Sequence, residues 1–227
     1  MPEVDRATGL GRRLLLASRP VSWINTAFPF AAAMLLTTGE VDARLVIGTL
    51  FFLVPYNLAM YGINDVFDYE SDANNPRKGG VEGALLPPST HRVTLAWSVG
   101  LAAPFVLVLA ALGGPASWAV LAVSLFAVVA YSAKGLRFKE VPVLDSVTSS
   151  THFVSPAVYG LVLAGADWSP QLVAVLAAFF CWGMASHAFG AVQDVVPDRE
   201  AGIGSMPFVA PTLLPDGGVG AMTVIQF

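Results

Sequence analysis

Six apolar stretches of about twenty residues, near 21–38, 44–64, 93–113, 116–133, 143–164 and 170–192, leave this chain one kind of fold. Inside a bilayer each backbone polar group needs a partner within the protein, so stretches of this length are read as helices. Composition agrees: 55% of residues are hydrophobic and 12% charged, with a mean hydropathy of +0.66, where a soluble domain carries about 25% charged residues. The expected fold class is all-α, a polytopic transmembrane helix bundle of one domain. Turn chemistry separates the stretches at Thr38-Gly39-Glu40, the polar run 65–92, Gly113-Gly114-Pro115, Lys134 to Pro142, and Gly165 to Pro170. The third break is so short that the third and fourth spans are expected to pack as antiparallel neighbours.

Basic residues orient the bundle. Of the 12 Lys and Arg, only Arg44 falls on the far side, and this asymmetry places the ends carrying Arg19, Arg77, Lys78, Lys134, Arg137 and Lys139 in the cytoplasm. The expected location is the cell (plasma) membrane, multi-pass. Arg12-Arg13 before Leu14-Leu15-Leu16 imitates a secretory or twin-arginine signal, yet the apolar character runs on into Trp23 to Leu36 as an ordinary span. Residues 7–18 read instead as a short interfacial amphipathic helix. The single Cys181 lies within an apolar stretch and is expected to be a buried, inert thiol.

Chemistry concentrates at the ends of two spans. Asn64, Asp65, Asp68 and Asp72 form N-D-x-x-D-x-x-x-D, and Asp194 and Asp198 form D-x-x-x-D. On a helix, spacings of three and four return to one face, so Asp65, Asp68 and Asp72 project together while Glu70 falls aside. Like charges on one stripe repel, and a charge near the bilayer core costs roughly 2.5–3.5 kcal/mol on insertion scales. A cation is therefore expected among them. Carboxylate oxygens suit Mg²⁺, which is usually completed by water and substrate phosphates, so the expected ligand is a metal diphosphate. No nucleic-acid partner is expected.

The connecting loops offer complementary charge. Arg77 and Lys78 precede Gly79-Gly80, where a backbone without side chains can approach an anion. Between the fourth and fifth spans lie Tyr131, Ser132, Lys134, Arg137 and Lys139; arginine matches phosphate as a planar fork and lysine as a point charge. Cytoplasmic charge with no ligand is the plainer alternative for both loops. Asn57 and Tyr61 share the stripe of Asn64 and Asp68 and would point into the same cavity one to two turns deeper. His187 shares a stripe with Asp194; it could bind a diphosphate, pair with a carboxylate, or be satisfied by a neighbouring helix. The fifth span opens with the polar run Asp145 to His152, helix-to-helix glue or cavity lining.

The strings at 64–72 and at 193–198 (Q-D-x-x-x-D, with Arg199 and Gly202), together with Tyr131-Ser132, Arg137 and Lys139, resemble the signature of UbiA-type intramembrane prenyltransferases. Within that family, N-P-R-K-G-G-V-E-G at 75–83, L-R-F-K-E at 136–140, D-S-V-T-S-S-T-H-F-V-S-P at 145–156 and H-A-F-G-A-V-Q-D at 187–194 are most similar to the lycopene elongases of actinobacterial C50 carotenoid synthesis. The resemblance implies Mg²⁺-dependent transfer of a prenyl group from an allylic diphosphate, dimethylallyl diphosphate for an elongase, to a lipophilic acceptor, lycopene. It implies that Asp65, Asp68, Asp72, Asp194 and Asp198 hold Mg²⁺ with help from Asn64. Arg77, Arg137 and Lys139 would hold the diphosphate, and Tyr61 or Phe67 would steady a carbocation.

The resemblance also implies nine spans, of which about six are legible here. It covers residues 12–205, so 1–205 read as a partial prenyltransferase membrane domain and 206–227 as a Pro- and Gly-rich tail resembling a truncation or a shifted frame. Other acceptors, such as a quinone or another aromatic or isoprenoid lipid, remain open, as does a non-catalytic membrane protein. A CDP-alcohol phosphotransferase also uses paired aspartate motifs, but it carries D-G-x-x-A-R in one compact string; here Asp68 is followed by Tyr69, and the two halves lie more than 100 residues apart.

Overall fold

The computed structural model describes residues 9–73 and 85–191. Its helices are α1 (Leu10–Ala17), α2 (Trp23–Thr38), α3 (Ala43–Leu53), α4 (Pro55–Phe67), α5 (Tyr69–Asp72), α6 (His91–Leu112), α7 (Pro115–Ser132), α8 (Leu144–Ala164) and α9 (Pro170–Ala191), and no strand occurs among the described residues. The all-α bundle is as expected. Five segments are long and apolar enough to cross a membrane: Pro20–Thr38, Ala43–Phe67, Pro88–Leu112, Pro115–Ser132 and Pro170–Gly190. The sixth expected stretch is the 21-residue α8, about 30 Å long at 1.5 Å per residue. Its serines, threonines and histidine set it apart from those five. It is sheltered accordingly, packed against α2, α3, α7 and α9.

The second span is one stretch in the sequence and two helices in space. Pro55 has no N–H and restricts the residue before it, so α3 stops at Leu53 and α4 restarts on Pro55. Thr26 and Asn57 meet the carbonyls at the break. Thr26 Oγ1 donates to Phe52 O at 2.6 Å, and Asn57 Nδ2 lies 2.8 Å from the same oxygen and 3.1 Å from Leu53 O. Asn57 was expected to line the cavity; its amide nitrogen is instead turned onto the chain's own backbone and Thr26.

The core is aromatic. Phe30, Phe51, Phe52, Tyr56 and Tyr159 are fully buried, with Phe52 centred 5.1 Å from both Phe30 and Tyr56 and 4.9 Å from Phe51. α2 and α8 approach closely at Gly160, where an added Cβ would stand 2.8 Å from the carbonyl oxygen of Phe30. Gly39 and Gly165, at φ +69° and +72°, end α2 and α8 in the left-handed turn that favours glycine.

Two expectations change. α6 and α7 reverse at Gly113-Gly114 yet do not pack along their lengths: α6 lies on α3 and α4, and α7 on α8 and α4. Proximity in sequence loses to the larger surfaces that each helix buries elsewhere. Cys181 is exposed on α9, as are Val173, Val175 and Trp182 on the same helix. A lipid-facing position and a core position are equally apolar, so hydropathy alone does not separate them.

Candidate active site

Polar contacts fix the two ends of the bundle. At one, Arg44 donates to Leu163 O at 3.2 Å and to Asp42 at 2.7 Å. The other gathers the C-terminal turn of α4, the turn before α2, the end of α7, the following loop and the start of α8. There, α4 ends at Phe67 and Asp68 leaves helical geometry before α5, while the N–H of Asp68 still reaches Asn64 O at 2.9 Å and that of Asp72 reaches Asp68 O at 2.8 Å. The three aspartates thus stay on successive turns.

Asp65 is 1% exposed and Asp68 3%. Each is met by the protein's own cations. Arg19, in the left-handed region at φ +50° between α1 and Pro20, reaches Asp65 Oδ1 with Nη2 at 3.1 Å and lies over the Tyr61 ring, 4.2 Å from its centroid. Lys139 Nζ is 2.5 Å from Asp68 Oδ2, and Arg137 Nη2 is 3.6 Å from Oδ1. Asn64 donates to Asp68 and also to Ser132 Oγ, the latter at 2.8 Å, tying α4 to α7. Burial pushes the Asp68 carboxyl above its ordinary value, against the pull of Lys139 and Arg137. The nearby charge of Asp72 pushes the same way.

Arg137 is held in place by Glu140, whose Oε1 lies 2.6 Å from Nε and 2.5 Å from Nη2. Its backbone is left-handed, φ +43°, and the next three residues form a 3₁₀ turn, Phe138–Glu140. That turn brings Lys139 back over α4. Deeper in the bundle, the Tyr131 ring stands edge-on to His152 at 5.6 Å and to His187 at 6.4 Å. His187 Nε2 lies 3.7 Å from Asp145 Oδ2, the carboxylate reading among the alternatives held open for this residue.

The structure therefore brings together Asn64, Asp65, Asp68, Asp72, Tyr61, Tyr131, Arg137, Lys139 and, through Asp145, His187. Arg77, Lys78, Asp194 and Asp198 lie outside the described residues, as does the 206–227 tail. Among the described residues no group of three His, Cys, Asp or Glu side chains is placed to hold a metal ion. The donor chemistry nevertheless fits Mg²⁺: Asp65, Asp68 and the amide oxygen of Asn64 are hard oxygen donors at the mouth of the bundle. Sequence reasoning gave Arg19 no place in the site and left Asp145 and His152 between helix-to-helix glue and cavity lining. Arg19 counted only toward orientation, and its carboxylate partner lies 46 residues away.

Comparison with known proteins bears on this arrangement. The UbiA prenyltransferase family model matches residues 26–215. Over 208 residues the chain is 59% identical to a C(50) beta-cyclic carotenoids biosynthesis protein of Dietzia sp., covering 92% of this chain and 48% of that one. A lycopene elongase/hydratase of Corynebacterium glutamicum is 55% identical over 199 residues, 87% of this chain and 69% of the relative. The chain thus spans about half the length of the first and about two thirds of the second. In fold it matches a UbiA homolog from Archaeoglobus fulgidus bound to DMAPP and Mg²⁺, with a TM-score of 0.72 and 22% identity over 88% of this chain and 70% of that one. With the family model spanning most of its length, the chain belongs to the UbiA prenyltransferase family.

Proposed function

We propose that this chain carries the diphosphate end and the reaction chamber of an intramembrane enzyme that moves a dimethylallyl group from its diphosphate to a terminal double bond of lycopene. The observation that carries this reading is the cluster of Asn64, Lys139 and Arg137 around one buried carboxylate, that of Asp68. Cations held on a carboxylate at a bundle mouth are placed to exchange it for phosphate oxygens when a divalent ion takes the carboxylate over. The names of the relatives from Dietzia and Corynebacterium support the carotenoid acceptor.

Asp65, Asp68 and Asp72, with Asn64 and with Asp194 and Asp198 from beyond the described residues, would hold Mg²⁺. When bound, the ion supplies charge to the leaving diphosphate. The chain's own residues do the rest. Lys139 and Arg137, joined by Arg77 and Lys78, grip the diphosphate oxygens and favour the charge that develops on them as the allylic C–O bond breaks. Tyr61 and Tyr131 present ring surfaces below that point, where an aromatic face attracts a cation without reacting with it. The aromatic core around Phe52 closes the bottom of the chamber to water.

The test is product analysis with the whole chain in membranes, supplied with dimethylallyl diphosphate and lycopene. Asp68→Asn is expected to lower prenylated product by about 100-fold or more, as is EDTA with the unchanged chain. Full turnover in either condition overturns the metal and diphosphate assignment. Prenylation of a quinone in preference to lycopene overturns the acceptor alone.

A further inference from the structure

His152 is 3% exposed, and neither of its ring nitrogens has a hydrogen-bond partner. Of its polar neighbours on α8, Thr148 and Thr151 donate to carbonyls one turn back at 2.7 and 2.8 Å, Ser150 to Phe180 O at 2.7 Å, and Ser155 pairs with Ser124 at 2.8 Å, while the hydroxyl of Ser146 near the mouth is open as well. A buried polar group left open in such company calls for an explanation in function. The ring is also well placed. It stands against Tyr131, whose neighbour Ser132 accepts from the Asn64 that holds Asp68. It shares a helical stripe with Asp145, seven residues earlier on α8 and about 10 Å nearer the mouth at 1.5 Å per residue. His152 thus lies below the diphosphate end of the bundle, beside Tyr131.

Prenylation of an alkene leaves a problem that the diphosphate machinery does not solve. The donor C–O bond breaks with its electron pair leaving on the diphosphate, and the π pair of the acceptor forms the new C–C bond. A tertiary cation remains on the acceptor. It ends by losing a proton or by capturing water, and the base within reach decides which. A neutral histidine ring always keeps one nitrogen with a free lone pair. We propose that His152 is the base that terminates the reaction. Its lone pair takes a proton from a carbon next to the cation, and the C–H pair closes into a new double bond. The proton leaves toward the His187 and Asp145 pair at the mouth and on to water. This assignment rests on the alkene prenyl transfer proposed above and adds the catalytic residue that fixes its product.

The experiment compares the whole chain with His152→Phe and His152→Asn in membranes supplied with dimethylallyl diphosphate, Mg²⁺ and lycopene. Correct folding is read by binding of dimethylallyl S-thiolodiphosphate, an analogue that does not ionise. Both variants are expected to bind it as the unchanged chain does. Both should lose the new-alkene product by about 100-fold or more, the usual scale for a missing general base, while water-captured alcohol becomes the main product. A variant that binds the analogue and keeps the original ratio of alkene to alcohol overturns the assignment of His152 and leaves the prenyl-transfer reading standing. An unchanged chain that binds the analogue and forms no new C–C bond overturns both.

Discussion

At the residue scale, one carboxylate organises the mouth of the bundle and a second tunes it. Glu140 sits outside the carboxylate cluster, yet it is the group that aims Arg137. Glu140→Gln removes its charge and leaves the loop intact, so the KM for dimethylallyl diphosphate is expected to rise about two- to fivefold with kcat little changed, as suits a partly exposed ion pair. A steady-state titration of the donor checks this. The pH dependence follows from the same contact. The hydrogen bond from Arg137 holds the Glu140 carboxyl below its ordinary value of 4.5, so the contribution of the pair is present above about 4.5 and is lost as pH falls through the lower folded value. At that acid limit the original chain should behave as the Gln variant does. Asp65 and Asp68 were legible from spacing alone, because like charges at the end of an apolar span demand cations. Which cations was not legible, since Arg19 and Lys139 come from other elements and reach the carboxylates only through a left-handed residue and a 3₁₀ turn.

At the scale of elements, the break between α3 and α4 shows where a sequence pattern and a fold part company. Hydropathy runs smoothly across Val54 and Pro55, so the stretch reads as one span; the missing N–H of Pro55 divides it. Asn57 reads as a cavity residue by its stripe and serves as a clasp on the broken turn. Asn57→Leu keeps the volume and removes the donor to Phe52 and Leu53. It is expected to cost about 1–3 kcal/mol of stability, the scale for leaving a buried polar group open, while the donor KM stays unchanged. Thermal unfolding in detergent alongside a donor titration separates the two roles: unchanged stability with a raised KM would return Asn57 to the cavity. α6 and α7 teach the complementary lesson, because a short turn fixes where two helices meet and says nothing about what each buries beyond it.

At the scale of the whole molecule, the charge asymmetry and the contacts agree on which loops share an end. Reporter fusions after residues 73 and 138 should read cytoplasmic, and fusions near 40 and 114 external, as should a reporter inserted at 167 in the whole chain; opposite readings at 73 and 138 would divide the site between two sides of the membrane. The same reporters bear on α8, whose serines, threonines and histidine are largely buried. A segment so rich in serine and threonine gains little by leaving water alone, and its greatest contact is with α2, far earlier in the chain. The reporter at 167 should therefore read external only in chains that extend through α9, and remain mixed in chains that stop after α8. Among the described helices the chamber is then the last part to be lined, and until α9 emerges, the first helices wait in the bilayer around a space that their own sequence cannot fill.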